Sequence, residues 1–285
     1  MSRRRRPAVE RYHDRVAGRY DSSYDDEYWA WHDTLTWDHL KPHLPTDLRA
    51  PVADLGCGTG KWAAKIARSG YSVTCVDVST AMLEQARQKL DPQAAEQEAT
   101  VDLGQLSRET SARPRPSFVR ADLCDLSMLP ADHFALAVAF GEPIGCTSSP
   151  PAALKQIRRI LRPDGTLVAT FDNQLNAIDF YLQQGDPRSL TEFLHTGLTH
   201  WLTRDRSEQF PIHTYSPSRL AKLLESCGFA IVDLIGKTVL PMRHYRALLA
   251  EPEQRRALAR IEKSLWRDPA ALGRAAHLQV VARPN

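Results

Sequence analysis

The amino-acid sequence predicts an α/β fold built on a doubly wound, mostly parallel sheet with an antiparallel last strand, to which helical segments are added as a cap and a lid. Three observations lead there. Apolar runs of strand length alternate with helical segments from Val52 to Phe171, a pattern that packs helices on both faces of a parallel sheet. The first apolar run, Val52 to Leu55, opens directly into the glycine-rich turn Gly56-Cys57-Gly58-Thr59-Gly60. Aromatic-rich helical stretches precede this core, and a long segment that a minimal core lacks follows its fifth strand.

Taken in order, residues 1–50 predict an N-terminal cap: two amphipathic helices between Ala8 and His43, with Tyr12, Tyr20, Tyr24, Tyr28, Trp29, Trp31 and Trp37 clustered before the first strand. Residues 51–173 predict the core. Its elements are strand Val52 to Leu55, helix Lys61 to Arg68, strand Ser72 to Val76, helix Ala81 to Leu90, and strands Phe118 to Arg120 and Phe134 to Phe140. Asp91 to Pro116 lacks apolar periodicity and predicts a mobile polar excursion. Pro150 starts a helix with Ala153, Leu154, Ile157, Ile160 and Leu161 at helical spacing; Arg162-Pro163-Asp164-Gly165 then reads as a turn into strand Thr166 to Phe171. Residues 174–214 predict a helical lid holding Tyr181, Phe193, Trp201, His195, His200 and His213. The remainder, 215–285, completes the core. Ser216-Pro217-Ser218 starts a helix that ends at Cys227-Gly228, strand Phe229 to Ile235 follows, and a helical insertion at about 244–267 precedes the last strand, Leu278 to Ala282.

Composition narrows the function classes. Of 285 residues, 42% are hydrophobic and 25% charged, the balance of a globular chain with a substantial core. The net charge of +3 is small, and part of it sits in Arg3 to Arg6, so a broad nucleic-acid surface is not expected. No apolar signal segment follows those arginines and no window reaches the ~18 apolar residues of a membrane span, so a cytoplasmic location away from the membrane is expected. Cys57, Cys75, Cys124, Cys146 and Cys227 are odd in number and widely spaced, which points to reduced thiols rather than a zinc site.

The chemistry-bearing residues begin at the glycine turn. Glycine tolerates positive φ and lets a ligand approach the backbone, and the spacing here, G-x-G-x-G, departs from the G-x-G-x-x-G of a dinucleotide site because position 61 is Lys. The second strand ends in Asp77, seventeen positions after Gly60, where an α/β nucleoside site puts its ribose-binding carboxylate. An Asp at such a strand end also serves as a helix cap. Arg120-Ala121-Asp122-Leu123 follows the third strand, and Asp122 there suits either an adenine amine or a turn.

In order, D-L-G-C-G-T-G, V-D-V-S-T-A-M-L-E-Q-A, R-A-D-L and R-R-I-L-R-P-D-G-T-L-V resemble the class I S-adenosylmethionine-dependent methyltransferases, in the group that includes ubiquinone-type and many small-molecule enzymes. The likeness runs from Val52 to Phe171 and, less closely, from Tyr215 to Ile235; lid and tail lie outside it. It implies a Rossmann-like fold that binds S-adenosylmethionine and releases S-adenosylhomocysteine (SAH), with no metal. By position, it implies that Asp54, Gly56, Cys57, Gly58 and Gly60 surround the methionine portion and that Asp77 holds the ribose hydroxyls. Val78 and Met82 then lie on the adenine face, Asp122 and the Leu123 amide at its edge. Phe140, Gly141 and Glu142 fall where donor and acceptor meet, and Tyr20 in R-Y-D-S-S-Y resembles a tyrosine that closes over the cofactor, with Tyr24 as a second candidate.

Methyl transfer from a positive sulfur needs alignment and desolvation, and a base when the acceptor carries a proton. His213, Tyr215, Glu142 and His32 are the candidates for a base or for lining the acceptor site. The expected partner is a small organic acceptor, bound by a monomer or homodimer. A nicotinamide oxidoreductase and a non-catalytic binding or scaffold protein of the same fold are the alternatives. A nucleic-acid methyltransferase is disfavoured by Phe140-Gly141-Glu142-Pro143, which is unlike an N-P-P-Y tetrad, and by the lack of an appended basic module.

Overall fold

The computed structural model describes residues 6–91, 115–201 and 206–285. Most of the expected polar excursion, 92–114, lies outside the described residues, as do Arg3 to Arg5. The strands are β1 (Val52–Leu55), β2 (Val73–Asp77), β3 (Ser117–Arg120), β4 (Phe134–Ala139), β5 (Leu161–Asp172), β6 (Leu198–His200), β7 (Pro211–His213), β8 (Phe229–Lys237) and β9 (His277–Pro284). Seven of them form one sheet in the order β3-β2-β1-β4-β5-β9-β8. β1 to β5 pair in parallel, and β9 inserts antiparallel between β5 and β8. All four residues of β1 are buried, as a central strand covered on both faces requires.

The helices are α1 (Ala8–Val16), α2 (Glu27–Leu40), α3 (Lys61–Arg68), α4 (Thr80–Leu90), α5 (Pro150–Ile160), α6 (Ile178–Gln183), α7 (Pro187–Thr196), α8 (Pro217–Ser226), α9 (Pro252–Leu265) and α10 (Pro269–Arg274). Local chemistry sets their ends. Ser149 and Ser216 cap α5 and α8 by accepting from Ala152 and Arg219 amides, and each helix carries proline in its first turn, where no amide partner is lost. Ala153, Leu154, Ile157 and Ile160 of α5 join Leu220 and Leu224 of α8 and Phe171 and Val280 of the sheet in the largest apolar cluster. Among the described residues no helix is long and apolar enough to cross a membrane.

Three expectations are corrected. Residues 162–165 are not a turn ahead of the fifth strand: β5 starts at Leu161, and its pairing jumps from Phe134↔Leu161 to Leu136↔Thr166, so they bulge out of a continuing strand. Residues 174–214 are not wholly helical, because β6 and β7 form an antiparallel ribbon after α6 and α7. The C-terminal insertion runs beyond 267, through α10, before β9 begins.

Candidate active site

β1, β2, β4 and β5 all end on one edge of the sheet, and the chain's chemistry gathers there. The three glycines of the turn have φ of 68°, 53° and 77°, the left-handed region that disfavours any side chain. Their surroundings differ. A Cβ on Gly56 would stand 2.3 Å from Pro143 Cβ, and one on Gly60 2.9 Å from Ala86 Cβ, whereas one on Gly58 would meet nothing within 4 Å. Gly56 and Gly60 therefore let the turn pack, and Gly58 faces open space. Asp54 is buried and accepts from the Ala63 amide of α3 at 2.9 Å; burial, with Asp77 adding to it, raises its carboxyl to about 7.

Asp77 ties the two strand ends together. Its Oδ2 accepts from the Gly58 amide and its Oδ1 from the Ser79 amide, both at 2.9 Å. It is not the cap of α4: Ser79 takes that role through Met82 N. Burial raises the Asp77 carboxyl despite these amides, so a buried carboxylate is held at the mouth of the glycine turn.

The N-terminal segment lies across this turn. Asp14 of α1 accepts from Ser79 Oγ at 2.6 Å, and Asp21 accepts from Thr59 Oγ1 at 2.5 Å and from Lys89 Nζ at 2.7 Å. Met82 is fully buried against Val16 and Ala17. The Val78 carbonyl accepts from Arg120 Nε, and the same guanidinium reaches the buried Glu10. Asp122 is exposed, and its Oδ1 accepts from the Cys124 amide at 2.9 Å, the geometry of a turn, while Leu123 is buried. Tyr20 stands beside Tyr24 (ring centroids 4.9 Å apart), and burial raises its hydroxyl pKa well above the usual value, with Tyr24 and Glu142 adding to the shift.

Beyond β4 and β5 lies a second polar group. Phe140 is buried against Trp62 (centroids 5.0 Å). Gly141 and Glu142 follow with φ of 83° and 59°, their amides directed at Thr170 Oγ1. This turn presents Glu142 to Asp172 and His277, whose ligating atoms all lie within 4.8 Å of one another. Asp172 pairs with His277 in the β5–β9 ladder, and His277 pairs with Lys237 of β8, so three strands contribute one row. Burial, then the nearby Glu142 charge, raises Asp172 to about 8 against the opposing pull of Arg243. Burial lowers His277 to about 4 and Lys237 to about 8. Lys237 is fully buried, donates to Thr36 Oγ1 at 2.7 Å, and has Glu142, Asp33 and Glu262 as nearby counter-charges. His32 stands edge-on to His277 (centroids 5.3 Å), and burial keeps its ring neutral.

Glu142, His32 and Tyr20 are thus brought into one neighbourhood, and Tyr215 is not. Tyr215 packs edge-on against Phe171 (5.7 Å) in the large apolar cluster, on the sheet face away from Asp172, because neighbouring strand residues alternate faces. His213 sits on β7, half-buried, with its backbone amide bonded to Gly145 O. The residues that sequence reasoning missed are Asp172, Lys237, Arg243 and His277. An Asp at the end of a strand was the one available signal; the others come from distant elements.

A nucleoside-type glycine turn and Asp at the carboxyl edge of this sheet define an α/β enzyme of the class I methyltransferase architecture. A family model described as a methyltransferase domain matches residues 28–234, and the chain belongs to that family. It is 30% identical over 186 residues to an O-methyltransferase of Pyrenophora dematioidea, covering 65% of this chain and 55% of that one. The chain spans about half the length, or less, of the curated relatives it matches (38% to 55%). Among solved structures, a SAM-dependent methyltransferase from Methanosarcina mazei superposes with a TM-score of 0.55 at 17% identity, over 86% of this chain and 96% of that one. DhpI in complex with SAH does so at 0.56 and 15% identity, over 98% and 96%. These likenesses establish the fold.

Proposed function

We propose that the chain transfers a methyl group from S-adenosylmethionine to a small organic acceptor. The observation that carries this reading is the Gly58–Asp77 pair: a backbone facing open space with a buried carboxylate bonded to it, at the edge where open α/β sheets bind ligands. The turn fits the cofactor, since a side chain at Gly58 would fill the space its methionine portion needs. Asp54 and Gly56 to Gly60 would hold that portion, Asp77 the ribose, and Val78, Met82, Asp122 and Leu123 the adenine, with Tyr20 and Phe140 beside the reacting end. When bound, the cofactor supplies a methyl group on a positively charged sulfur. The chain's own work is to align the acceptor, exclude water and take up a proton.

Residues 1–50 and 174–214 are read as cap and lid over residues 51–173, with 215–285 completing the core. Supporting this, α1 meets the second segment through Tyr12, whose ring lies 5.9 Å from Trp201 and 5.7 Å from Phe210. Free thiols at all five cysteines suit a cytoplasmic setting. Calorimetry with S-adenosylmethionine, SAH and NADH, each with a chelator present, tests the assignment. Binding of the first two without metal is expected, and binding of NADH alone would replace it with the oxidoreductase reading.

A further inference from the structure

We propose that His39, His43 and Asp233 form a site for a zinc-type divalent ion that clips α2 to the edge strand β8. The site is independent of the methyl-transfer reading. Each of the three residues offers one ligand atom, and these atoms lie within 4.8 Å of one another. In a tetrahedral site with bonds of ~2.0–2.2 Å, neighbouring ligand atoms stand roughly 3.3 Å apart, and His39 Nε2 already lies 3.1 Å from Asp233 Oδ2. The two imidazole rings have centroids 5.8 Å apart, so a rotation of the half-buried His43 completes the set.

Sequence and fold bring these residues together by different means. His39 is near the end of α2, and His43 closes the 3-10 turn Lys41–His43 that continues it. Four positions apart on one helical path, they share a face. Asp233 arrives from β8, where the pairing with β9 shifts register between Ile231 and Asp233. Ile231 and Leu234 both pack on the large apolar cluster, whereas Ile235 packs with Tyr28, Trp31 and Leu35 of α2. The bulge therefore turns Asp233 toward α2, when strict alternation would have left it on the face of Ile231.

Burial lowers His39 to about 4 against the pull of Asp233, and it lowers His43 as well. Both rings favour the neutral form at pH 7 and have a lone pair to give. His39 Nδ1 is also buried without a hydrogen-bond partner. A purely structural ion pair has no use for it: the Arg267 guanidinium is already forked on Asp233, and burying an imidazole with an unpaired nitrogen costs stability. The surrounding charges select the ion. Arg267 and Arg283 oppose positive charge at His43, and Asp233 favours it. A hard cation held by charge alone is disfavoured there, whereas zinc is held by donation from neutral imidazoles. Arg267 Nε, 2.9 Å from Asp233 Oδ1, would remain as the outer partner that orients the carboxylate. His39 is seven residues past His32, ~10 Å along the helix, and Asp233 is four residues before Lys237, so the site is separate from the carboxyl edge of the sheet.

Calorimetry with Zn²⁺ and with Mg²⁺ on the full chain at pH 7, together with thermal melts, tests the proposal. Zn²⁺ should bind at least about a hundredfold more tightly than Mg²⁺ and raise the melting temperature of the wild type. His43→Gln and Asp233→Asn should each weaken Zn²⁺ binding by about tenfold or more and remove that rise. Asp233→Asn also loses its bonds to Arg267, so His43→Gln, at a half-buried helix end, is the decisive variant; its metal-free melting temperature should stay close to that of the wild type. No binding of Zn²⁺ by the wild type, equal binding of Mg²⁺, or Zn²⁺ binding that His43→Gln leaves unchanged overturns the proposal and leaves His39, Asp233 and Arg267 as an ion-pair network.

Discussion

Asp172 and His277 stand opposite one another in the β5–β9 ladder, and burial moves them in opposite directions, the carboxyl up to about 8 and the imidazole down to about 4. Both therefore favour the neutral form at pH 7, amid Glu142, Arg243 and Lys237. For Asp172 the folded pKa lies above an unfolded value near ~3.9, so its contribution to stability is present below about 4 and is lost as pH rises toward 8. For His277 the folded value lies below ~6.5, so stability is lost as pH falls from there toward 4. The two oppose each other between 4 and 6.5. Between 6.5 and 8 the Asp172 effect remains, and D172N should remove a loss of about 1.6 kcal/mol across that interval. Thermal melts of both proteins at pH 6.5 and 8 check this; parallel profiles would show that Asp172 ionises normally.

Asp77→Ala is expected to weaken SAH binding by roughly 1 to 3 kcal/mol, since it removes a charged acceptor from a partly desolvated site. The Gly58 and Ser79 amides lose their partner as well, so a lower melting temperature accompanies the loss. Asp77→Asn keeps an acceptor for one amide and separates the two effects. Unchanged SAH affinity in both variants would reduce Asp77 to a brace of the turn.

The glycines should part company. Gly56→Ala drives a Cβ to 2.3 Å from Pro143, whereas Gly58→Ala meets no protein atom within 4 Å. Both bear the left-handed backbone cost of about 1 kcal/mol or more. Gly56→Ala should thus lose more stability, and Gly58→Ala should lose more SAH affinity relative to its stability. Denaturant melts paired with calorimetry give both quantities, and an SAH affinity of Gly58→Ala equal to wild type would move the cofactor off this turn.

Sequence alone made the proposed nucleoside half of the site legible because that half is local. Asp54, the three glycines and Asp77 lie within one β-α-β passage, and the strand-end position of Asp77 needs no knowledge of the rest of the chain. Glu142 was reachable for the same reason, as the residue after β4. Lys237, Arg243 and His277 were not. They meet Asp172 through the insertion of β9 between β5 and β8, a register set by long-range pairing. Tyr215 misled because its position next to the lid says nothing about the face its ring takes. The ribbon of β6 and β7 escaped notice because three-residue strands carry too little alternation to register.

The remaining expectation concerns closure. Arg15 of α1 forms a two-pronged ion pair with Glu208, its Nε donating at 2.6 Å, and Arg11 donates to Ser207 O at 2.5 Å. These contacts link α1 to the connection between β6 and β7, while the backbone of His213 is tied to Gly145, three residues past Glu142. Arg15 is half exposed but Glu208 is buried, so losing the pair should cost roughly 1 to 3 kcal/mol, which the fold should survive. The pair is expected to couple the two segments. Hydrogen exchange with and without SAH should show residues 8–16 gaining protection together with 198–201 and 206–213. In Arg15→Ala the first segment should still gain it through Asp14 and Asp21, and the second should gain less. If neither segment changes on SAH binding, the cap and lid do not close over the cofactor, and the acceptor enters across an open surface.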